Sequence, residues 1–342
     1  MTRQGFIVVA LLILAVIAVA IYSSVRCGPE VVVYTSIDEM PARKVLEDFQ
    51  RQTGIRVKPL FDTEATKTIG LAMRVLSEMS RPQAGVFWNN ELSNTVNLAR
   101  KGAFEAYQSP SAKDIPSQWK DPSGLWTSMG IRARVIVYNT RLVPADQAPT
   151  TLEGLCDPRW KGKVAVCDPR FGTFATHVAA LAAAWGKDKT LDYFRRLAAN
   201  GVKVMAGNSV VRDAAASGEI FVGLTDTDDV LLGIGRGMQI DYVFPDQAGA
   251  GQGTLVFPNA VSLVKGAPHP KEARRFIDYL LSTDVERGFS TPKEGWIPVR
   301  ARASADAPTQ KLSSVKPMSV DWDAVSQMVG PFSAEVSGIL VK

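Results

Sequence analysis

Histidine is nearly missing from this chain, with only His177 and His269 among 342 residues. Cysteine is almost as rare, at three. No CxxC pair and no Cys/His set stands at zinc spacing, so a structural metal site is not indicated. A glycine-flanked nucleophile elbow, a P-loop, a dinucleotide fingerprint and an HExxH helix are all lacking. The chain is therefore not expected to be an enzyme, although its carboxylates leave acid–base work as the rival reading. No clustered basic patch exists: 39 Lys and Arg against 34 Asp and Glu give a net charge of +5, scattered along the chain. Nucleic acid is excluded as a partner on that ground. No internal repeat of solenoid period occurs.

What is present begins with a greasy front end. Residues 6–22 form an unbroken apolar run behind Arg3, longer than a usual signal-peptide core and slightly short for a transmembrane helix. The segment 1–27 reads as an export signal, a lipoprotein leader or a membrane anchor. Cys27 is the lipidation candidate, although Arg26 precedes it where a small residue is wanted. Each alternative places the body periplasmic or extracytoplasmic, and two of them tether it by a lipid or a helix. Cys156 and Cys167 sit in echoing CDPR segments, and an oxidising location permits a bridge. An extended strand between them would hold them too far apart for one.

From Glu30 to Lys101 an apolar strand ends three times in a polar turn that opens a helix. Strands at 31–34 and 55–60, and a third ending at Asn89-Asn90-Glu91, follow this rule. That alternation specifies a parallel α/β sheet, and such sheets bind ligands at the carboxyl ends of their strands. A long β-type run at 126–138 can pass from one domain into another. A second α/β series follows: strands at 164–167, 202–205 and 220–224, with helices at 173–185, 191–200, 209–217 and about 226–236. Strands at 254–257 and 260–264 return to the first domain. The tail carries a short helix near 320–329. The expected fold class is α/β, with two lobes joined by crossing strands around a ligand cleft. Lobe 1 takes 28–132 plus 255–305, lobe 2 takes 133–254, and 306–342 is a tail.

The order VVVYTS, FQRQTGIRV, FDTEATKT and AGVFWNNE, then GIRARVIVYNT, DPRWKGKVAV, PRFGTF and GNSVVRDAAASGEI, resembles the extracellular solute-binding proteins of ABC importers. The similarity runs from about Glu30 to Arg300 and is nearest the ferric-iron-binding branch. It implies a type II-like periplasmic-binding-protein fold, hinged closure over ligand, and delivery to an ABC permease in the cytoplasmic membrane. A monomer without a resident cofactor is expected. In that branch an adjacent tyrosine pair after the strand at 220–224 holds Fe(III). Here the position reads Thr225-Asp226-Thr227-Asp228-Asp229, and no two tyrosines are adjacent anywhere. The cargo is thus expected to be ferric iron or another metal ion, or else a small organic or phosphorylated solute or an oxyanion.

Several residue sets compete for the ligand. Asp38, Asp62, Glu64, Glu91, Asp226, Asp228 and Asp229 stand at strand-end turns, where they either line a cation-binding cleft or stabilise helix starts. Asp228 and Asp229, with Glu91, are the candidate metal ligands. Ser36, Thr63, Thr66, Thr173 and Ser209 lie at such turns too, where free backbone donors favour anions. The Phe171-Gly172-Thr173 turn stands out, because Gly172 lets backbone approach a ligand. Arg170 or Arg212 offers bidentate contacts to an oxyanion. Asn89 and Asn90 offer amides, and Trp88 either stacks on a ligand or fills the core. Arg132 and Arg134 share one face of the crossing strand.

Overall fold

The computed structural model describes residues 28–62, 70–291, 295–300 and 315–341. The apolar leader, Cys27, Thr63, Glu64 and Thr66 lie outside the described residues.

Strand β1 (Glu30–Thr35) buries Val31, Val33 and Tyr34. Helix α1 (Glu39–Thr53) covers it with Ala42, Leu46 and Phe49 and stops at Gly54. That glycine has φ 70° and returns its N–H to the Gln50 carbonyl, the left-handed C-cap that glycine adopts without steric cost. Strand β2 (Arg56–Phe61) pairs parallel to one side of β1, and β3 (Val86–Asn89) to the other. Helices α2 (Gly70–Ser77) and α3 (Leu92–Arg100) follow β2 and β3. The short strand β4 (Phe104–Glu105) completes this unit. Because the strands are parallel, the turns after β1, β2 and β3 lie along one edge of the sheet.

Every residue of β5 (Thr127–Asn139) is buried. Residues Thr127 to Ala133 pair with β10 (Val256–Val264), which in turn pairs with β3. From Arg134 onward β5 pairs instead with β8 (Val222–Asp226), and from Ile136 also with β9 (Ile240–Val243). Strands β6 (Val164–Cys167) and β7 (Lys203–Met205) extend beyond β8, giving the order β2-β1-β3-β10-β5-β8-β6-β7. The protein thus has two lobes that share one strand. The handover on β5 falls between Ala133 and Arg134.

In the second lobe α4 (Gly172–Trp185) and α5 (Lys187–Ala199) follow β6. Helix α6 (Asn208–Ser217) follows β7, and α7 (Thr227–Gly235) follows β8. The first-lobe core is closed by α8 (Pro270–Leu280) and α9 (Thr283–Phe289), with Phe276 set edge-on to Phe49 at 5.0 Å. The Cys156 and Cys167 thiols are free. Among the described residues no helix is long and apolar enough to cross a membrane.

The carboxyl-terminal helix is longer than its sequence suggests. Gly330-Pro331 marks a natural stop near residue 329, yet α10 runs from Trp322 to Leu340 with Pro331 inside it. Burial of Phe332, Val336 and Leu340 in the second-lobe core offsets the backbone bond that proline removes. At its start, Trp322 packs against first-lobe Leu92 and Val96, and Asp323 lies 3.8 Å from Arg100. Helix α10 therefore touches both lobes. Phe332→Ala should lower stability by about 3–5 kcal/mol in urea unfolding. A loss under about 1 kcal/mol would mean that α10 is an appendage.

Candidate functional site

The second-lobe side of the strand-end edge is organised by Asp226, which is wholly buried at the end of β8. Its Oδ1 accepts from Arg134 Nη1 at 2.5 Å. Its Oδ2 accepts from Thr173 Oγ1 at 2.7 Å and Asn208 Nδ2 at 2.9 Å. Arg134 also donates to Asn208 Oδ1 at 2.9 Å and to the Leu224 carbonyl at 3.1 Å. Thr173, Asn208 and Asp226 stand at the starts of α4, α6 and α7. Their mutual bonds therefore bring three helix N-termini together. None of the three carries a side-chain cap. Their first-turn N–H groups and macrodipoles make this wall attractive to an anion.

Asp228 and Asp229 occupy the first turn of α7, where carboxylates suit the positive dipole end. Ligand oxygens of Asp226, Asp228 and Asp229 lie within 4.8 Å of one another, a spacing that can hold a metal ion. A guanidinium already stands in this group. Arg132 Nη1 is 3.2 Å from Asp228 Oδ2 and 3.6 Å from Asp226 Oδ2. Arg132 Nη2 donates to the Asn90 carbonyl at 2.6 Å, and its charge lies 4.7 Å over the Phe257 ring. Arg212 Nη1 is 3.8 Å from Asp229 Oδ1. Burial raises the Asp228 pKa, Arg132 opposes that rise, and Asp226 and Asp38 add repulsion. Burial, then the Asp228 and Asp226 charges, push Asp229 well above the ordinary carboxyl range. Among the described residues Asp228 Oδ1 has no hydrogen-bond partner.

On the first lobe, Ser36 donates to Asn89 and to Asn90 Oδ1, the latter at 2.8 Å, and receives the Asn90 N–H. This fixes the turn after β3 against the turn after β1. Glu91 is 2% exposed and caps α3 through the Ser93 N–H. Ser93 Oγ meets Thr176 Oγ1 of α4 at 3.1 Å, a direct bond between the lobes. Burial raises the Glu91 carboxyl to about 7, with Thr176, Ser93 and Arg132 pulling back. Among the described residues its Oε2 has no hydrogen-bond partner. Gly295 comes so close to the Asp228 backbone that a Cβ would sit 2.8 Å from the Asp228 Cα.

The turns thus bring together Ser36, Asn90, Glu91, Arg132, Thr173, Asp226, Asp228 and Asp229. Asp38 is exposed at the start of α1, and Gly172, with φ 57°, opens α4. Two roles change. Arg212 faces Asp213 at 2.8 Å and Asp229, so acidic neighbours occupy the group expected to hold an oxyanion. Arg170 is held by Asp168 at 2.6 Å on the surface. Trp88 is fully buried against Phe289 and has no face for stacking on a ligand. His177 is buried inside α4, and burial, then Arg134, lowers its pKa. Sequence reasoning missed Asn208, although Gly207-Asn208 at a strand-to-helix turn was a usable signal. It also missed Phe257, Ser93 and Thr176, which carry no signal in sequence.

A family model described as bacterial extracellular solute-binding protein matches residues 95–328. Iron uptake protein A1 of Synechocystis sp. is 27% identical over 314 residues, covering 88% of this chain and 84% of that protein. A Salmonella typhi protein named as a candidate 2-aminoethylphosphonate-binding periplasmic protein is 25% identical over 273 residues, 77% of each. Iron-bound HitA of Pseudomonas aeruginosa superposes with a TM-score of 0.80 at 21% identity, covering 90% of this chain and 99% of its own. That structural likeness speaks to the two-lobed fold.

Glu91 gives the site a pH signature. Its folded pKa is raised, so its contribution to stability is present below about 4.5 and lost as pH rises to about 7. Glu91→Gln should remove up to about 3 kcal/mol of the stability lost across that window. Urea midpoints at the two ends of the window measure this, and identical slopes in both proteins would refute the assignment.

Proposed function

Because this chain belongs to the bacterial extracellular solute-binding protein family, we propose that it is the capture component of an ABC importer for a small organic solute. That solute carries an anionic group together with hydroxyl or amine donors. The observation that carries this reading is charge balance in the cleft. Asp226 is paired with Arg134 and Asp228 with Arg132, while Arg212 stands 3.8 Å from Asp229 and is shared with Asp213. A pair of unit charges 4 Å apart interacts by roughly 4 kcal/mol at an effective dielectric of about 20. A trivalent ion beside Arg132 would meet several times that repulsion, whereas a polar or zwitterionic solute would not. The uncapped starts of α4, α6 and α7 suit its anionic end. The unpartnered oxygens Asp228 Oδ1 and Glu91 Oε2 suit its donors.

The two lobes and the shared strand β5 fit closure over cargo, followed by delivery to a membrane permease outside the cytoplasm. The protein acts as a monomer and needs no resident cofactor. Ferric iron is the second reading, favoured by the 4.8 Å spacing of the carboxylate oxygens. It requires Arg132 to leave.

Native mass spectrometry of the gently purified body separates these readings. The expected adduct is organic or phosphate-sized and survives chelation. 2-Aminoethylphosphonate or a hexose phosphate should raise the melting temperature, and Fe(III) citrate should not. An iron mass lost on chelation, together with stabilisation by Fe(III), would overturn the organic-solute reading. Thr173→Val should weaken stabilisation by the anionic ligand about tenfold, since Thr173 anchors the α4 start to Asp226.

A further inference from the structure

We propose that Arg132 is a built-in cation that sets the specificity of the cleft, occupying the place a metal ion would take between Asp226 and Asp228 and so keeping metal ions out. The inference rests on the organic-solute reading above and names the residue that enforces it. A guanidinium between two carboxylates is not by itself a gate, since surface pairs of this kind exchange freely. Arg132 differs because its guanidinium is held at both ends, Nη1 by Asp228 and Nη2 by the Asn90 carbonyl. Its backbone lies in β5, paired with Phe257 of β10 immediately before the strand passes to the second lobe. Its guanidinium rests on the Phe257 ring and donates to the Asn90 carbonyl. Its side chain is 7% exposed.

No swing into solvent is open to Arg132 without breaking the contacts to both lobes. Arg134 cannot replace it, because that side chain is spent on Asp226, Asn208 and the Leu224 carbonyl. A metal ion entering among the three carboxylates would sit within a few ångströms of a positive charge that has nowhere to go. A neutral or zwitterionic solute meets no such penalty. It can add its donor to the unpartnered Asp228 Oδ1 and leave the Arg132 bonds intact. The same carboxylates would otherwise be a good site for a hard cation, since they offer several oxygens at close spacing.

The test uses Arg132→Met, which keeps an unbranched apolar stem and removes the charge. Terbium(III), a hard oxygen-seeking cation, is the probe, titrated into the whole folded body and followed by its luminescence. The variant should bind one terbium ion about tenfold or more tightly than the unchanged protein. Adding Asp228→Asn to it should abolish the gain. Arg132→Gln, which removes the charge but keeps a polar amide, provides the same comparison if the methionine variant does not fold. Terbium affinity within about twofold of the unchanged protein, or a gain that survives Asp228→Asn, would overturn the role of Arg132. Those results would leave the organic-solute reading standing if the unchanged protein still carries an organic adduct. Tightly held iron in the unchanged protein, with Arg132 present, would overturn both.

Discussion

The ion pair between Arg134 and Asp226, neither exposed at all, is the constraint on which the remainder of the cleft depends. Arg134 is the first residue of β5 to pair with the second lobe, and Asp226 is the last residue of β8. Their contact joins the strand shared by both lobes to the edge where the second-lobe helices begin. Burying two charges is expensive, and the expense is met only where hydrogen bonds satisfy the remaining donors and acceptors. Thr173, Asn208 and the Leu224 carbonyl do this. Removing one partner from such a pair costs about 3–5 kcal/mol, because the other is left buried and uncompensated. The positions of α4, α6 and α7 follow from this node.

Arg132, two residues earlier on the same face of β5, does for the space between the lobes what Arg134 does for the second-lobe wall. It reaches the Asn90 carbonyl on one side and Asp228 on the other. The period of two along a strand is what aims both guanidiniums at the same edge. Ser93 and Thr176, Gly295 against Asp228, and α10 across α3 and α4 add further contacts between the lobes. Closure is therefore distributed over short polar contacts and one helix.

Much of this was legible in the chain itself. The apolar strands at β1, β3, β6 and β8, each ending in a polar turn, indicated a parallel α/β architecture and located the ligand edge. The long run that became β5 announced a connection between lobes. Asp228 and Asp229 stood out through the resemblance, because they occupy the positions of the tyrosine pair of the ferric-iron-binding branch. Helix α10 was underestimated because Gly330-Pro331 is a strong local stop, and only burial against the second lobe carries the helix through it.

What the sequence could not decide was pairing. Arg212 and Arg170 are equally plausible oxyanion ligands as isolated letters. Their use depends on whether Asp229 and Asp168 lie within reach. Trp88 is either a stacking platform or core according to what covers it, and Phe289 covers it. The net charge of the site is a sum over residues far apart in sequence: Glu91, Arg132, Arg134, Arg212, Asp213, Asp226, Asp228 and Asp229. Local composition and periodicity are properties of neighbours along the chain, and they determined the elements and the edge. Electrostatic balance is a property of neighbours in space, at distances of a few ångströms. Only the tertiary structure brings those neighbours together.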